Sequence, residues 1–326
     1  MITDTSNKIV EYIRAKKQAT AKELVEYLGI SRQAFFKQVT KLKKNGSIYK
    51  IGTSPKVFYL ISEIADNKQS EEVKDGIKKI IDENYLIITP AGEMKIGLDG
   101  FSYWCERNKL PLAKTAEEYV STVSKYDIYK KDGVIDGTEK IRASFVDKVG
   151  LDKVFYLSFY AIERFGKTKL GQLLLYAKQS QDIKLIKKIS DESREKILDL
   201  IKKYDIDAVG FIPPTVKREV QLMKELKNSL ALPVRDIKIV KAQTEVIVPQ
   251  KTLNKIEDRM ENAQKSIFVT DNNEYENILL IDDAVGSGAT LNETALQIKR
   301  RGICSGKIIG LAITGSFKGF DVISEV

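Results

Sequence analysis

Hydrophobic positions change their spacing several times along the chain, and each change marks an element. Ile9, Val10 and Ile13 recur at helical intervals and predict a first helix over 6–16. Thr20, Ala21, Lys22 and Glu23 have the form of a capping box, in which a hydroxyl and a carboxylate satisfy the first amides of a second helix. That helix carries Leu24, Val25 and Leu28 and ends at Gly29. Ser31 can cap a third, whose Phe35, Val39 and Leu42 fall at i, i+4 and i+7 before Asn45 and Gly46 stop it. Two alternating β-branched and aromatic runs, SIYKI and KVFYLI, flank GTSP and predict a hairpin.

Beyond the hairpin, residues 63–75 (EIADNKQSEEVKD) are polar, acidic and short of large apolar side chains, the composition of a linker or an exposed helix edge. Residues 76–145 hold a Thr89-Pro90-Ala91-Gly92 turn, the only tryptophan (Trp104), a cysteine and helical stretches near 115–125, and read as core packing without evident chemistry. From about 150 the pattern alternates. FYLSFYAIERF (155–165) and LGQLLLYAKQSQDIKLIKKI (170–189) are apolar at helical spacing, SREKILDLIKKY (193–204) is helical, and AVGFIPP (208–214) is a short apolar strand. Such alternation implies an α/β unit over 150–326, a mostly parallel sheet flanked by helices. It comes after an α+β unit over 1–62 and a mixed, mainly helical middle region over 63–149.

Charge separates these units further. The 326 residues carry a net +9, and residues 1–62 alone hold twelve lysines or arginines against four acids, a local +8. A basic module joined to a nearly neutral remainder implies that only the first meets a polyanion. Three helices, a tight turn at Gly29 and a hairpin resemble a winged helix-turn-helix domain. That resemblance implies double-stranded DNA as partner, with the third helix in the major groove and the hairpin along the phosphates. Ser31, Arg32, Gln33 and Lys37 would then face the bases, and Lys41, Lys44, Lys50 and Lys56 the backbone. The alternative is a winged helix used for protein contacts, its lysines only solvating the surface.

Composition removes several chemistries. There is no histidine, so triads, metal sites and proton shuttles that depend on imidazole are excluded. Cys105 and Cys304 are too far apart in sequence, and lack the spacing, for a zinc ribbon or a disulfide framework. No apolar run approaches the roughly 18 residues of a membrane span, and the first residues are polar, so the expected compartment is the cytoplasm, without membrane partners.

The candidate chemistry lies in ILLIDDAVGSGATL, residues 278–291. Ile278–Ile281 reads as a doubly buried strand and Gly288 onward as a helix ending at Gly302. The loop Ala284, Val285, Gly286, Ser287 and Gly288 would then lie at the carboxyl end of a parallel strand, under a helix N-terminus, where α/β sheets bind ligands. Its amides, the Ser287 and Thr290 hydroxyls and the helix dipole suit a phosphate. Asp282 and Asp283 would repel a phosphate set on top of them but accept hydrogen bonds from vicinal hydroxyls and stabilise positive charge at an anomeric carbon. The stretch therefore asks for a 5-phosphorylated ribose. A dinucleotide fingerprint would need the reverse order of glycine and acid, no GxxxxGK[ST] occurs, and a capped loop with two solvated aspartates is the bland alternative.

Hydrophobic strand, Asp-Asp, small residues and a hydroxyl-Gly-small-Thr ending resemble the phosphoribosyl pyrophosphate (PRPP) loop of type I phosphoribosyltransferases. Gln250, Leu253, Arg259, Asn262 and Phe268, together with IPPTVKREVQ, resemble the ComF-like, amidophosphoribosyltransferase-like branch over roughly 150–326. The branch's zinc-binding N-terminus is absent, its R-G-F-N-Q segment is reduced to Arg218-Glu219-Val220-Gln221, and Gly286 stands where a hydroxyl residue is common. The resemblance implies that Asp282 and Asp283 are the catalytic pair on the ribose hydroxyls. Ala284, Val285, Gly286, Ser287, Gly288, Ala289 and Thr290 would hold the 5-phosphate. Pro213, Pro214, Thr215, Lys217 and Arg218 would face the pyrophosphate, and Gln250, Lys251 and Arg259 would lie on a loop closing over PRPP. Mg²⁺ would be held mainly by PRPP itself, with no direct protein ligand. The implied activity is phosphoribosyl transfer to an amine or nucleobase nitrogen by a DNA-bound homodimer. The alternatives are a non-enzymatic transcription regulator sensing PRPP or nucleotides, and a DNA-uptake, DNA-processing or defence protein.

Overall fold

A computed structural model describes residues 4–44, 47–52, 57–61, 73–145, 148–214, 216, 218–242, 248, 253 and 255–316. The chain opens with α1 (Asp4–Lys16), β1 (Ala19–Thr20), α2 (Ala21–Leu28), α3 (Arg32–Lys44), β2 (Ile48–Ile51) and β3 (Phe58–Ile61). The capping box forms: Thr20 Oγ1 accepts from the Glu23 amide at 3.3 Å and the Thr20 amide donates to Glu23 Oε2 at 2.7 Å. Gly29 closes α2 at φ 60°, a left-handed conformation that costs glycine little. Ser31 Oγ accepts from the Ala34 amide at 3.2 Å and starts α3. Ile9, Ile13, Leu24, Phe35 and Leu42 are wholly buried and form a core of their own. The predicted hairpin gains a third strand, because β1 pairs antiparallel with β3, Ala19 opposite Tyr59.

The middle region runs through α4 (Asp75–Asn84), β4 (Leu86–Ile88), β5 (Met94–Ile96), α5 (Gly97–Asn108), α6 (Leu112–Asp127), β6 (Lys130–Lys131), β7 (Val134–Asp136) and α7 (Thr138–Ser144). β4 and β5 pair around the Thr89–Gly92 turn. The aromatic rings of Tyr85, Phe101, Tyr119 and Phe165 stack edge-on or tilted at centroid separations of 5.1–6.4 Å, which ties α5 and α6 to the turn that carries Phe165. β6 and β7 join the main sheet as an antiparallel edge, so the middle region helps build that sheet.

The rest comprises β8 (Lys153–Phe159), β9 (Ala161–Ile162), a 3₁₀ turn (Glu163–Phe165), β10 (Gly166–Lys167), α8 (Lys169–Ser180) and α9 (Ile183–Lys203). After these come β11 (Ala208–Phe211), α10 (Leu222–Leu230), β12 (Arg235–Asp236), β13 (Ile239–Lys241), α11 (Ile256–Ser266), β14 (Ile267–Val269), β15 (Ile278–Val285), α12 (Ala289–Arg300) and β16 (Ile308–Gly315). Seven strands form one sheet in the order β12-β11-β15-β16-β8-β7-β6, parallel from β12 to β8. Its two faces bury different residues of each strand. Leu279, Ile281, Ile309 and Leu311 meet α8, α9 and α10, whereas Ile278, Leu280, Ile308 and Ala312 meet α7 and α12. The fold is thus α/β, a mostly parallel sheet flanked by helices.

Two readings differ from expectation: the run 170–189 breaks at Gln181 and Asp182, where one helix is closed and the next capped, so that its second half joins 193–203 in α9. FYLSFYAIERF, read as a helix, forms strand β8 and then a short turn. Val154 and Tyr156 pack on one face of the sheet and Phe155 and Leu157 on the other, so these four consecutive positions are all apolar. A run buried on both sides has no polar face, and its period cannot be read from hydropathy alone. Among the described residues no helix is long and apolar enough to cross a membrane.

Candidate functional site

Ile278–Ile281 are fully buried and pair on both sides, with β11 and with β16. β11 stops opposite Ile281, whereas β16 runs on to Gly315 opposite Val285. Asp282–Val285 therefore border a crevice at the carboxyl end of the sheet, where chain neighbours diverge and ligands enter α/β folds. The predicted loop is shorter than its sequence suggests. Ala284 and Val285 remain in β15, registered with Thr314 and Gly315, so only Gly286, Ser287 and Gly288 form the turn before α12.

Gly288 holds that turn in shape. It has φ 78°, and a Cβ there would lie 2.4 Å from Ile141 Cδ1 on α7. Ser287 is buried, with Oγ accepting from the Ala289 amide at 3.3 Å, and Thr290 lies half-buried in the first turn of α12. Asn292 fastens the helix from below: its Oδ1 accepts from the Gly150 amide and its Nδ2 donates to the Lys148 carbonyl, both at 2.8 Å.

The two carboxylates are not equivalent. Asp282 accepts from the Asp283 amide at 2.8 Å, and burial, reinforced by the charge of Asp283, raises its pKa to about 7. Asp283 instead receives Lys178 Nζ of α8 at 2.6 Å, a pair in which both side chains are largely shielded from solvent. Lys241, the last residue of β13, interacts electrostatically with both aspartates, and burial lowers its pKa. Two acids and two lysines thus meet from three elements. Sequence reading missed both lysines. Lys178 carried a signal, since it continues the apolar stripe of Leu170 and Leu174 at i+4, where a solvated lysine is unexpected.

Pro213 and Pro214 come directly after Ile212, whose amide donates to the Ile281 carbonyl at 2.9 Å, so this segment starts beside the aspartates. Arg218 is half-buried and its carbonyl accepts from Gln221 Nε2 at 2.6 Å, while the Val220 amide donates to Gln181 Oε1 at 3.0 Å. The C-terminal end of the helix that delivers Lys178 therefore also tethers the far end of the segment. Thr215, Lys217, Gln250, Lys251 and Lys56 lie outside the described residues.

Arg259, expected on a closing loop, sits in α11. It is buried, with Nε donating to the Leu253 carbonyl at 2.8 Å, and Asn262 Nδ2 donates to the Val248 carbonyl at 3.3 Å. Both side chains brace backbone carbonyls N-terminal to their own helix. In the N-terminal unit, Arg32, Gln33, Lys37, Lys41 and Lys44 share the solvent-facing side of α3 with Ser31 at its cap, and Lys50 is exposed on β2. Phe36 lies on the same face, 47% exposed, and was not anticipated. A scan of protein-family models finds none that matches this chain, and a search of curated proteins likewise returns no match.

Proposed function

We propose that this protein is a DNA-binding, type I phosphoribosyltransferase-like enzyme that takes PRPP with Mg²⁺ and transfers its phosphoribosyl group to an amine or nucleobase nitrogen. The observation that carries the reading is the Asp282–Asp283 pair at the crevice, one short glycine turn ahead of the start of α12. A ribose laid across the pair would donate its 2- and 3-hydroxyls to the carboxylates, and its 5-phosphate would reach the amides of Gly286–Thr290 and the positive end of α12. This distance along the chain separates the negative carboxylates from the negative phosphate, as the ligand requires.

Pyrophosphate would leave toward Lys178, Lys241 and the segment after β11. Lys178 is held by Asp283. Ribose hydroxyls arriving at Asp283 would compete for that carboxylate and release the ammonium to a pyrophosphate oxygen. The remaining carboxylate charge stabilises the cationic anomeric carbon as the bond to pyrophosphate breaks, and the acceptor nitrogen attacks it. Mg²⁺ would arrive on the pyrophosphate and supply neutralisation of the leaving group, with Asp282 and Asp283 left to the ribose hydroxyls.

The exposed basic face of α3, with the caps and three-stranded sheet that hold it, supports a winged helix-turn-helix reading of the N-terminal unit, and hence duplex DNA as its partner. Phosphorus NMR of PRPP with Mg²⁺, the full chain and a nucleobase panel tests the activity. Pyrophosphate released by the wild type but not by the Asp282→Asn/Asp283→Asn variant is expected. PRPP lines that broaden without consumption would overturn catalysis in favour of sensing, and unperturbed lines would overturn the site itself.

A further inference from the structure

A cavity lies away from the aspartates, at the seam between the N-terminal unit and the rest of the molecule. Its volume is about 650 Å³, within the range of small-molecule sites. One wall is the end of α1 with strands β2 and β3, and the other is α6 with the turn Glu163–Arg164. Across the seam Gln18 Nε2 donates to Glu163 Oε2 at 3.3 Å.

Two polar atoms on this cavity are buried without a hydrogen-bond partner. They are Gln18 Oε1, an acceptor on one wall, and Arg164 Nη1, a donor on the other. The Arg164 side chain is only 4% exposed, pairs through Nη2 with Glu118 and lies 4.7 Å from the Phe165 ring centroid. A buried guanidinium nitrogen and a buried amide oxygen left unpaired are each costly, and their cost is removed by a ligand that brings an anion to one and a donor to the other.

Charge narrows the class. The three acids at the cavity are already matched: Glu118 by Arg164, Glu117 by Lys74 at 3.4 Å and Glu163 by Lys125 at 3.8 Å. Arg14, Lys16 and Lys17 also line it and form no ion pair among the described residues, which leaves a cationic surplus. Ile13 and Leu60 add an apolar wall, and Tyr49 hydrogen-bonds the Arg164 guanidinium beside it. An anionic group for the cations, a hydroxyl or amine donor for Gln18 and a flat apolar body for the wall together describe a nucleoside phosphate.

We propose that this seam is a second ligand site, for a nucleoside monophosphate, separate from the crevice at Asp282 and Asp283. Binding there ties Gln18 of the N-terminal unit to Arg164 of the sheet unit through one molecule and so fixes the angle between the two.

The test is a fluorescence titration of mant-labelled AMP and mant-labelled GMP into the full-length Asp282→Asn/Asp283→Asn variant, which removes the other candidate site. Saturable binding at one per chain is expected, displaced by the unlabelled nucleotide and not by the nucleoside. Arg14→Glu/Lys16→Glu, both on the exposed end of α1, is expected to weaken it by about tenfold or more with the ligand-free melting temperature unchanged, and Gln18→Leu is expected to weaken it as much. Saturable binding of neither probe, or binding that neither variant weakens, would overturn the proposal. Comparison with the wild type gives the distinction from the crevice: the Asp282→Asn/Asp283→Asn variant loses PRPP binding and keeps the nucleotide titration, whereas Arg14→Glu/Lys16→Glu in the wild-type background weakens the nucleotide titration and keeps PRPP binding.

Discussion

The N-terminal unit and the crevice of the parallel sheet both concentrate charge, yet they do so in opposite dielectrics. Arg32, Lys37, Lys41 and Lys44 stand on the exposed face of a helix, whereas Asp282, Asp283, Lys178 and Lys241 meet where the sheet and α8 exclude most water. Solvated cations create a long-range, salt-screened field suited to a polyanion. Shielded ions interact over single contacts, and burial moves the protonation of Asp282 into the working pH range. The first region should respond to ionic strength and the second to pH and to single atoms.

The largest effect expected concerns the crevice. Asp282→Asn/Asp283→Asn should weaken PRPP binding by about a hundredfold or more in calorimetry, through the loss of charged acceptors, with circular dichroism unchanged. Retained affinity would sink the ribose assignment.

Next comes Gly288→Ala, which meets both an unfavourable φ and the Ile141 methyl. A loss of ~2 kcal/mol in urea unfolding is expected, and an unaltered midpoint would mean that the turn is not held from α7.

Protonation gives a third prediction. Asp282 titrates at about 7 in the folded chain, against 3.8 for an unburied carboxyl. Because the folded pKa is raised, its contribution to stability is complete below pH 3.8 and is lost as pH rises to about 7. PRPP binding runs the other way, since a protonated Asp282 offers fewer acceptors, and affinity should fall by up to about tenfold per pH unit below that value. The difference between wild-type and Asp282→Asn melting temperatures across this range checks the first statement, and calorimetry at pH 6 and 8 checks the second. A flat difference would mean that the carboxyl is not buried.

Two smaller effects test the N-terminal side. Arg32→Ala/Lys37→Ala should weaken duplex DNA binding by about tenfold and flatten its salt dependence, leaving PRPP affinity untouched; undiminished anisotropy titrations would reject docking through α3. Thr20→Ala removes the capping box at a cost of ~1 kcal/mol. Hydrogen exchange should quicken in α1–α3 and not in β15 or β16, and faster exchange in both would erase the distinction between two cores.

Much of this architecture is legible in local sequence. Thr20, Glu23, Gly29 and Ser31 announce helix ends because caps are satisfied within three or four residues. Ile278–Ile281 announce a central strand by an unbroken aliphatic run, and the acidic pair and small residues mark where it ends, although its ladder partners are distant in sequence. The turn's true length is hidden, since Ala284 and Val285 stay in the ladder only because β16 extends to meet them. Arg259 was misplaced because helix α11 begins in a stretch with few apolar residues, and its role comes from the Leu253 carbonyl it holds.

By itself, the sequence determined the elements whose hydrogen bonds close over a few residues, the basic bias of residues 1–62 and the identity of the two carboxylates. The tertiary structure decided that Lys153–Phe159 is a strand, because burial of Val154–Leu157 on both faces leaves four consecutive apolar positions that reveal no period. It also brought Lys178 and Lys241 to Asp282 and Asp283, and Gln18 opposite Arg164. Those encounters join residues tens to over a hundred positions apart, and the low dielectric that gives them their energy exists only once the sheet and helices have packed.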